Sequence, residues 1–119
     1  MWKPPLRSHI MSLMGIDDNL IQEVVRRLLS VSKPDRIILF GSAATGQMTR
    51  DSDIDLLVVA PAALNTLEER VRLLRALRGL GFAFDVFIIP TERFEETKNI
   101  FGGIAYPAHK YGRAIYEAG

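Results

Sequence analysis

Ile38-Leu39-Phe40-Gly41-Ser42 is followed, ten residues on, by Asp53-Ile54-Asp55-Leu56-Leu57-Val58-Val59. These two runs decide the fold. Arg36 to Phe40 is short, rich in β-branched residues and ended by Gly41, which predicts a buried strand. Ile54 to Ala60 is apolar on both faces apart from its leading aspartates, the pattern of a central strand covered by helices. Between them, Ser42 to Met48 has room for a brief helix opening at the Gly-Ser turn, and Thr49 to Ser52 is polar and turn-like.

Upstream, Leu20, Ile21, Val24, Val25, Leu28 and Leu29 recur at helical spacing, with Asp17 or Asp18 to cap the first turn and Lys33-Pro34 to stop it. Downstream, Pro61 to Asn65 is a connection. Thr66-Leu67-Glu68-Glu69 reads as a capping box for a helix running to about Arg78, with Leu67, Val71, Leu74 and Leu77 toward the core. Gly79 and Gly81 close it. Phe82 to Ile89 is a third strand ended by Pro90, and Thr91 caps a polar helix through about Lys98. After Gly102-Gly103, Ile104 to Tyr111 reads as a last helix and Arg113 to Tyr116 as a closing edge strand. The order predicts α and β elements on one small sheet.

The 119 residues, 48% hydrophobic and 24% charged, fit one globular domain over 16–119, behind an N-terminal arm over 1–15 that shows no clear period. Met11 and Met14 also offer later start codons. A net charge of +1 gives no overall attraction to nucleic acid or to an anionic membrane. The chain has no cysteine, so thiolate metal sites and disulfides are excluded. The longest apolar run, Leu56 to Leu64, is broken by Pro61 and falls far short of the roughly 20 residues that span a bilayer. With two prolines in place of a signal-peptide core, a cytoplasmic protein is expected.

Carboxylates carry the chemistry. Positions i and i+2 of a strand share a face, so Asp53 and Asp55 present two like charges close together, which calls for a compensating cation. Oxygen-rich sites of this kind suit Mg²⁺, or Mn²⁺ in its place. Asp85 is the sole charge in Phe82 to Ile89 and needs either a cation or one of the chain's many arginines. If a neighbouring strand brings it to the Asp53/Asp55 pair, three carboxylates serve two metals about 3.5 to 4 Å apart. Gly41 leaves space for a phosphate, Ser42 supplies a hydroxyl donor, and a helix starting there aims free N–H groups at the anion; taken alone, Gly-Ser also reads as a tight turn, and Ser52 and Asp53 as turn residues with Asp55 at the strand edge.

Two familiar motifs fail on their residues. Asp51, Asp53 and Asp55 have EF-hand spacing, but Leu56 and Ala62 stand where the loop needs Gly and Glu. Gly41 to Gly46 has the glycine spacing of a Walker A loop, but Gln47 and Met48 replace its Lys and Ser/Thr. His9 and His109 lack ligand spacing and read as surface residues. Arg70, Arg72, Arg75 and Arg78 give the middle helix a basic, solvated side.

The joint pattern of strand, Gly-Ser, ten residues, Asp-x-Asp and a third Asp in a later apolar strand resembles the minimal nucleotidyltransferases of the DNA polymerase β superfamily. The ending Ile104 to Glu117 is similar to that family's C-terminal helix, glycine and Leu-Tyr-Glu-like strand. The resemblance implies an α+β fold (an α/β two-layer arrangement) with a small mixed β-sheet packed by helices. It implies Asp53, Asp55 and Asp85 as catalytic residues and metal ligands, with two Mg²⁺, and Gly41, Ser42 and the adjoining Thr45 position at the nucleotide's phosphates. The reaction implied is transfer of a nucleoside monophosphate, AMP from ATP, to a hydroxyl.

Small members of that family serve as antitoxins beside HEPN-domain toxins, and some modify a tyrosine of that partner. Many carry arginine where this chain has Thr45, in Gly41-Ser42-Ala43-Ala44-Thr45-Gly46, with Arg50 or Arg36 as substitutes in space. The departure supports an alternative: a binding module of the same fold that neutralises a HEPN-type toxin by complex formation alone. A nucleic-acid-modifying role is disfavoured by the near-neutral charge.

Overall fold

The computed structural model describes residues 16–49, 51–62 and 65–119. The expected N-terminal arm, Arg50, and Ala63 and Leu64 of the connection lie outside the described residues. In chain order the elements are α1 (Asp18–Val31), β1 (Arg36–Phe40), α2 (Ser42–Thr45), β2 (Ile54–Ala60), α3 (Thr66–Ala76), β3 (Phe84–Pro90), α4 (Thr91–Thr97), α5 (Ala105–Tyr111) and β4 (Arg113–Glu117).

The strands form one mixed sheet in the order β3-β2-β1-β4. β1 runs antiparallel to both β2 and β4, whereas β2 and β3 are parallel. A parallel pair cannot be joined by a hairpin, and α3 provides the crossover between β2 and β3. Period-two alternation divides β1 and β2 between two cores. Ile37, Leu39, Ile54, Leu56 and Val58 pack under α1 and α3 with Ile21, Val24, Leu28, Leu73 and Leu77. Ile38, Leu57 and Val59 face the other way, against Phe94 of α4 and Ala105 and Ala108 of α5. The fold class expected from the sequence, a small mixed sheet packed by helices, is the one observed. α1 and α3 form its main helical layer, and the short α4 and α5 cover the opposite face.

α1 begins where Asp17 accepts a hydrogen bond from the Leu20 amide at 2.9 Å, satisfying one of the first-turn donors. Gly112 lets α5 end tight on β1. A Cβ there would lie 2.3 Å from the Ala108 carbonyl oxygen and 2.7 Å from Ile38 Cγ2.

α3 departs from expectation in two respects. Its cap is Asn65, whose side chain accepts from the Glu68 amide at 3.1 Å, so the capping residue stands one position before Thr66. Its inward face differs in part: Leu77 is buried and Leu74 packs against the core as expected, and Leu73 is buried with them, while Leu67 is 70% and Val71 40% exposed. Two apolar stripes share this helix; the one carrying Leu73 and Leu77 is buried, and Arg70, on the same face, reaches β3. Thr91 likewise opens α4 without a side-chain cap; its hydroxyl donates instead to Asp35.

Leu73→Ala should therefore cost about 2–5 kcal/mol of folding stability in urea titrations, and Leu67→Ala should stay within about 0.5 kcal/mol of the unmodified chain. Equal losses would contradict the observed roll of α3.

Candidate active site

The C-terminal end of β1 and the N-terminal ends of β2 and β3 meet at one end of the sheet. Phe40 pairs with Asp55 across β1 and β2, and Asp55 pairs with Asp85 across β2 and β3. Neighbouring strands lie about 4.8 Å apart, so the register sets these two carboxylates side by side. Both point to the face of Leu57, Val59 and Ile89, because they share the odd positions of their strands. Asp53 stands just before β2 on the same alternation and is exposed. Phe40 and Phe87, with ring centroids 5.7 Å apart, lie next along that face and make an apolar floor behind the carboxylates.

The electrostatics follow from this crowding. The Asp55 carboxyl is held above its ordinary value of 3.8, first by burial, then by repulsion from Asp85 and from Asp53. That ordering identifies Asp55 as the centre of the cluster.

Gly41 joins the Gly-Ser turn to the carboxylates. Its φ of 72° and ψ of −151° belong to a region that side chains rarely adopt. A Cβ there would also fall 2.4 Å from Asp55 Oδ2. Ser42 then opens α2, and the Gly41 carbonyl accepts the amides of Ala44 and Thr45 at 3.1 and 3.2 Å. Those bonds close the single turn and leave the Ser42 and Ala43 amides at its start, beside the carboxylate cluster. Thr45 sits exposed at the far end of α2, where its hydroxyl donates back to the Gly41 carbonyl at 3.2 Å.

Arg70, read from the sequence as part of a solvated basic face, turns to the site instead. Its Nη2 donates to Asp85 Oδ1 at 2.9 Å and its Nε donates to the Val86 carbonyl at 2.8 Å. The lone carboxylate of β3 had signalled the need for a cation, but helical spacing gives four arginines and no means of choosing among them. Arg72 of the same helix pairs with Glu69. Arg36 does not serve the site: it lies four residues up β1 from Phe40, about 13 Å away, pairs with Glu117 at 3.8 Å and stands over the Phe94 ring. His109 is exposed and packs edge-on to Phe94.

Among the described residues no three carboxylates, imidazoles or thiols are grouped closely enough to hold a metal ion by themselves. The donors at the site are hard carboxylate oxygens, with Asp85 drawn partly aside by Arg70. Mg²⁺ fits such a set, because it binds through one or two protein carboxylates and completes its shell with phosphate oxygens and water.

Residues 19–106 match the family model of the nucleotidyltransferase domain. This chain is a member of that family. The Methanocaldococcus jannaschii protein named "Putative protein adenylyltransferase MJ0141" is 30% identical over 73 residues, spanning 60% of this chain and 73% of that protein. In fold, the chain is similar to a toxin-antitoxin crystal structure with AMP-PNP, at a TM-score of 0.63 and 22% identity, covering 82% of this chain and 73% of that one. A nucleotidyltransferase-type crystal structure from Sulfolobus solfataricus has a TM-score of 0.60 and 20% identity, covering 92% of this chain and 85% of that one. The Gly-Ser turn, the Asp-x-Asp pair and Asp85 of this nucleotidyltransferase domain all lie inside the matched segment.

A raised Asp55 pKa means that the folded chain holds this proton more tightly than the unfolded chain does. With divalent cations chelated, the Asp55 contribution to stability is therefore present below 3.8, the ordinary value, and is lost as pH rises through the raised value. Asp55→Asn should melt higher than the unmodified chain at pH 7 in chelator and flatten the pH dependence of melting between 3.8 and the raised value. A lower melting temperature at pH 7 would contradict the repulsive cluster.

Proposed function

We propose that the chain transfers AMP from ATP to a hydroxyl acceptor, a tyrosine of a HEPN-type toxin partner, using Mg²⁺ held by Asp53, Asp55 and Asp85. The observation that carries the reading is the Asp55–Asp85 register with Gly41 packed directly on Asp55: carboxylate oxygens and the Gly-Ser turn occupy one sheet end. The AMP donor and protein acceptor are supported by the name of the Methanocaldococcus jannaschii relative. A toxin partner is supported by likeness to a structure described as a toxin-antitoxin.

In this reading the Ser42 and Ala43 amides and the Ser42 hydroxyl grip the triphosphate, and Gly41 allows its oxygens to approach the backbone. Bound divalent ions supply charge neutralisation and alignment at the α-phosphate. Asp53, Asp55 and Asp85 would hold those ions beside the nucleotide, and the Asp85 carboxylate accepts the proton of the attacking hydroxyl. The acceptor oxygen bonds to the α-phosphorus as the α–β phosphoanhydride bond breaks, and pyrophosphate leaves. The chain's main contribution is positioning, with no covalent intermediate on the protein.

A second reading is favoured by one feature. Thr45 brings no cation to the phosphates, and its hydroxyl is already engaged by Gly41. At the same time, Leu67, Val71, Val31 and Ala76 line an exposed apolar groove of about 700 Å³ on α3 and the end of α1, away from the aspartates. A chain that works by complex formation alone would use such a surface and need no turnover.

ATP with Mg²⁺ should raise the melting temperature by mass action. Asp53→Asn should reduce label transfer from α-labelled ATP to the partner by about 10³-fold while leaving the chain folded by circular dichroism. Absence of any thermal shift with millimolar NTP, together with retained partner binding, would favour complex formation over catalysis. Thr45→Arg should tighten ATP binding in calorimetry, since a guanidinium at the end of α2 adds bidentate phosphate contacts. Unchanged or weaker affinity would remove this position from triphosphate binding.

A further inference from the structure

We infer that Arg70 is a positioning residue for Asp85, setting which carboxylate oxygen faces the metal-binding end of the sheet. The inference rests on the proposed role of Asp85 as a metal ligand. β3 is an edge strand, so one side of its backbone has no neighbouring strand to pair with. The guanidinium occupies that side, with Nε on the Val86 carbonyl and Nη2 on Asp85 Oδ1. Two donors of one planar group therefore bind two adjacent points of the strand. This fixes the guanidinium by a backbone atom and the carboxylate by the guanidinium.

The consequence for Asp85 is directional. Oδ1 is taken by Arg70, so Oδ2 is the oxygen left for a cation or a proton on the face shared with Asp55. Without Arg70, Asp85 would be free to rotate away from Asp55, which repels it. The Arg70 and Asp85 side chains are 43% and 36% exposed, so the ion pair itself contributes little to folding. Its geometric effect does not depend on that stability. Lysine cannot replace it, because one ammonium on a flexible stem lacks the fork that reaches both acceptors.

Charge and orientation make opposite predictions. Removing a cation beside a carboxylate should by Coulomb attraction alone tighten binding of a divalent ion; losing the carboxylate's orientation should weaken it. The test titrates Mn²⁺ into the full chain and follows free Mn²⁺ by electron paramagnetic resonance. Arg70→Met should bind about tenfold more weakly, the scale of lost outer partners at metal sites. Arg70→Lys, with charge kept and the fork lost, should weaken binding by at least about threefold, which decides the matter if Arg70→Met does not fold.

In an Asp85→Asn background, Arg70→Met should change Mn²⁺ affinity by less than about twofold, because the two residues act through one carboxylate. In transfer assays, Arg70→Lys should lose about tenfold in kcat with KM for ATP within about twofold. Unchanged or tighter Mn²⁺ binding in both Arg70 variants, or equal weakening with and without Asp85, would overturn the inference. If the unmodified chain binds no Mn²⁺, the metal reading of the aspartates fails and this inference falls with it. If the unmodified chain binds and the Arg70 variants match it, the inference alone fails.

Discussion

Repulsion and partial burial at Asp55 are the constraint around which the rest of the structure is arranged. Its carboxylate lies between a glycine that leaves it no spare room and the next strand's Asp85, with Asp53 two residues away. Burial and two like charges hold its pKa up, so a folded chain at neutral pH stores electrostatic strain there. Such an arrangement survives because two independent apolar cores clamp β2 from both faces, leaving its leading end no freedom to splay. The stability that holds the site thus comes from Leu56, Leu57, Val58 and Val59, while the charges they hold in place oppose folding.

Most of this could be read from the sequence, for identifiable reasons. The boundaries of β1 and β2 follow from runs bounded by Gly41 and Pro61, because an apolar strand buried on both faces leaves little ambiguity of period or length. The Asp-x-Asp pair could be assigned to one face because strand alternation is geometric. The joining of Asp85 to that pair was only an expectation, since sequence order does not specify which strands are neighbours. The parallel β2–β3 register answers it.

What the sequence obscured lies on α3, and for a single reason. The helix carries Leu67, Val71, Leu73, Leu74 and Leu77, enough for two overlapping stripes, so the periodicity does not determine its roll. Burial of Leu73 and Leu77 settles the roll, and Arg70, which shares their face, is carried to the edge of β3, where it makes two hydrogen bonds. That one roll explains both misreadings of this helix: a residue taken for solvated surface reaches the site, and two leucine-stripe positions taken for core are left exposed. Thr66 was likewise outcompeted by Asn65, whose side-chain oxygen accepts from the Glu68 amide one position earlier.

Gly41 is where the Gly-Ser turn and the carboxylates become one site. Two constraints on it favour glycine together: the positive φ that turns the chain from β1 into α2, and the 2.4 Å between a hypothetical Cβ and Asp55 Oδ2, which would force that carboxylate to shift. Both act together because Phe40 is paired with Asp55, which places the following residue beside the carboxylate. The ten residues between Ser42 and Asp53 are then the length needed for one helical turn and a polar turn to bring the chain back antiparallel. The Gly-Ser and Asp-x-Asp signals were each ambiguous alone because neither contains the contact that joins them, and that contact is made by the hydrogen-bonded register of β1 and β2.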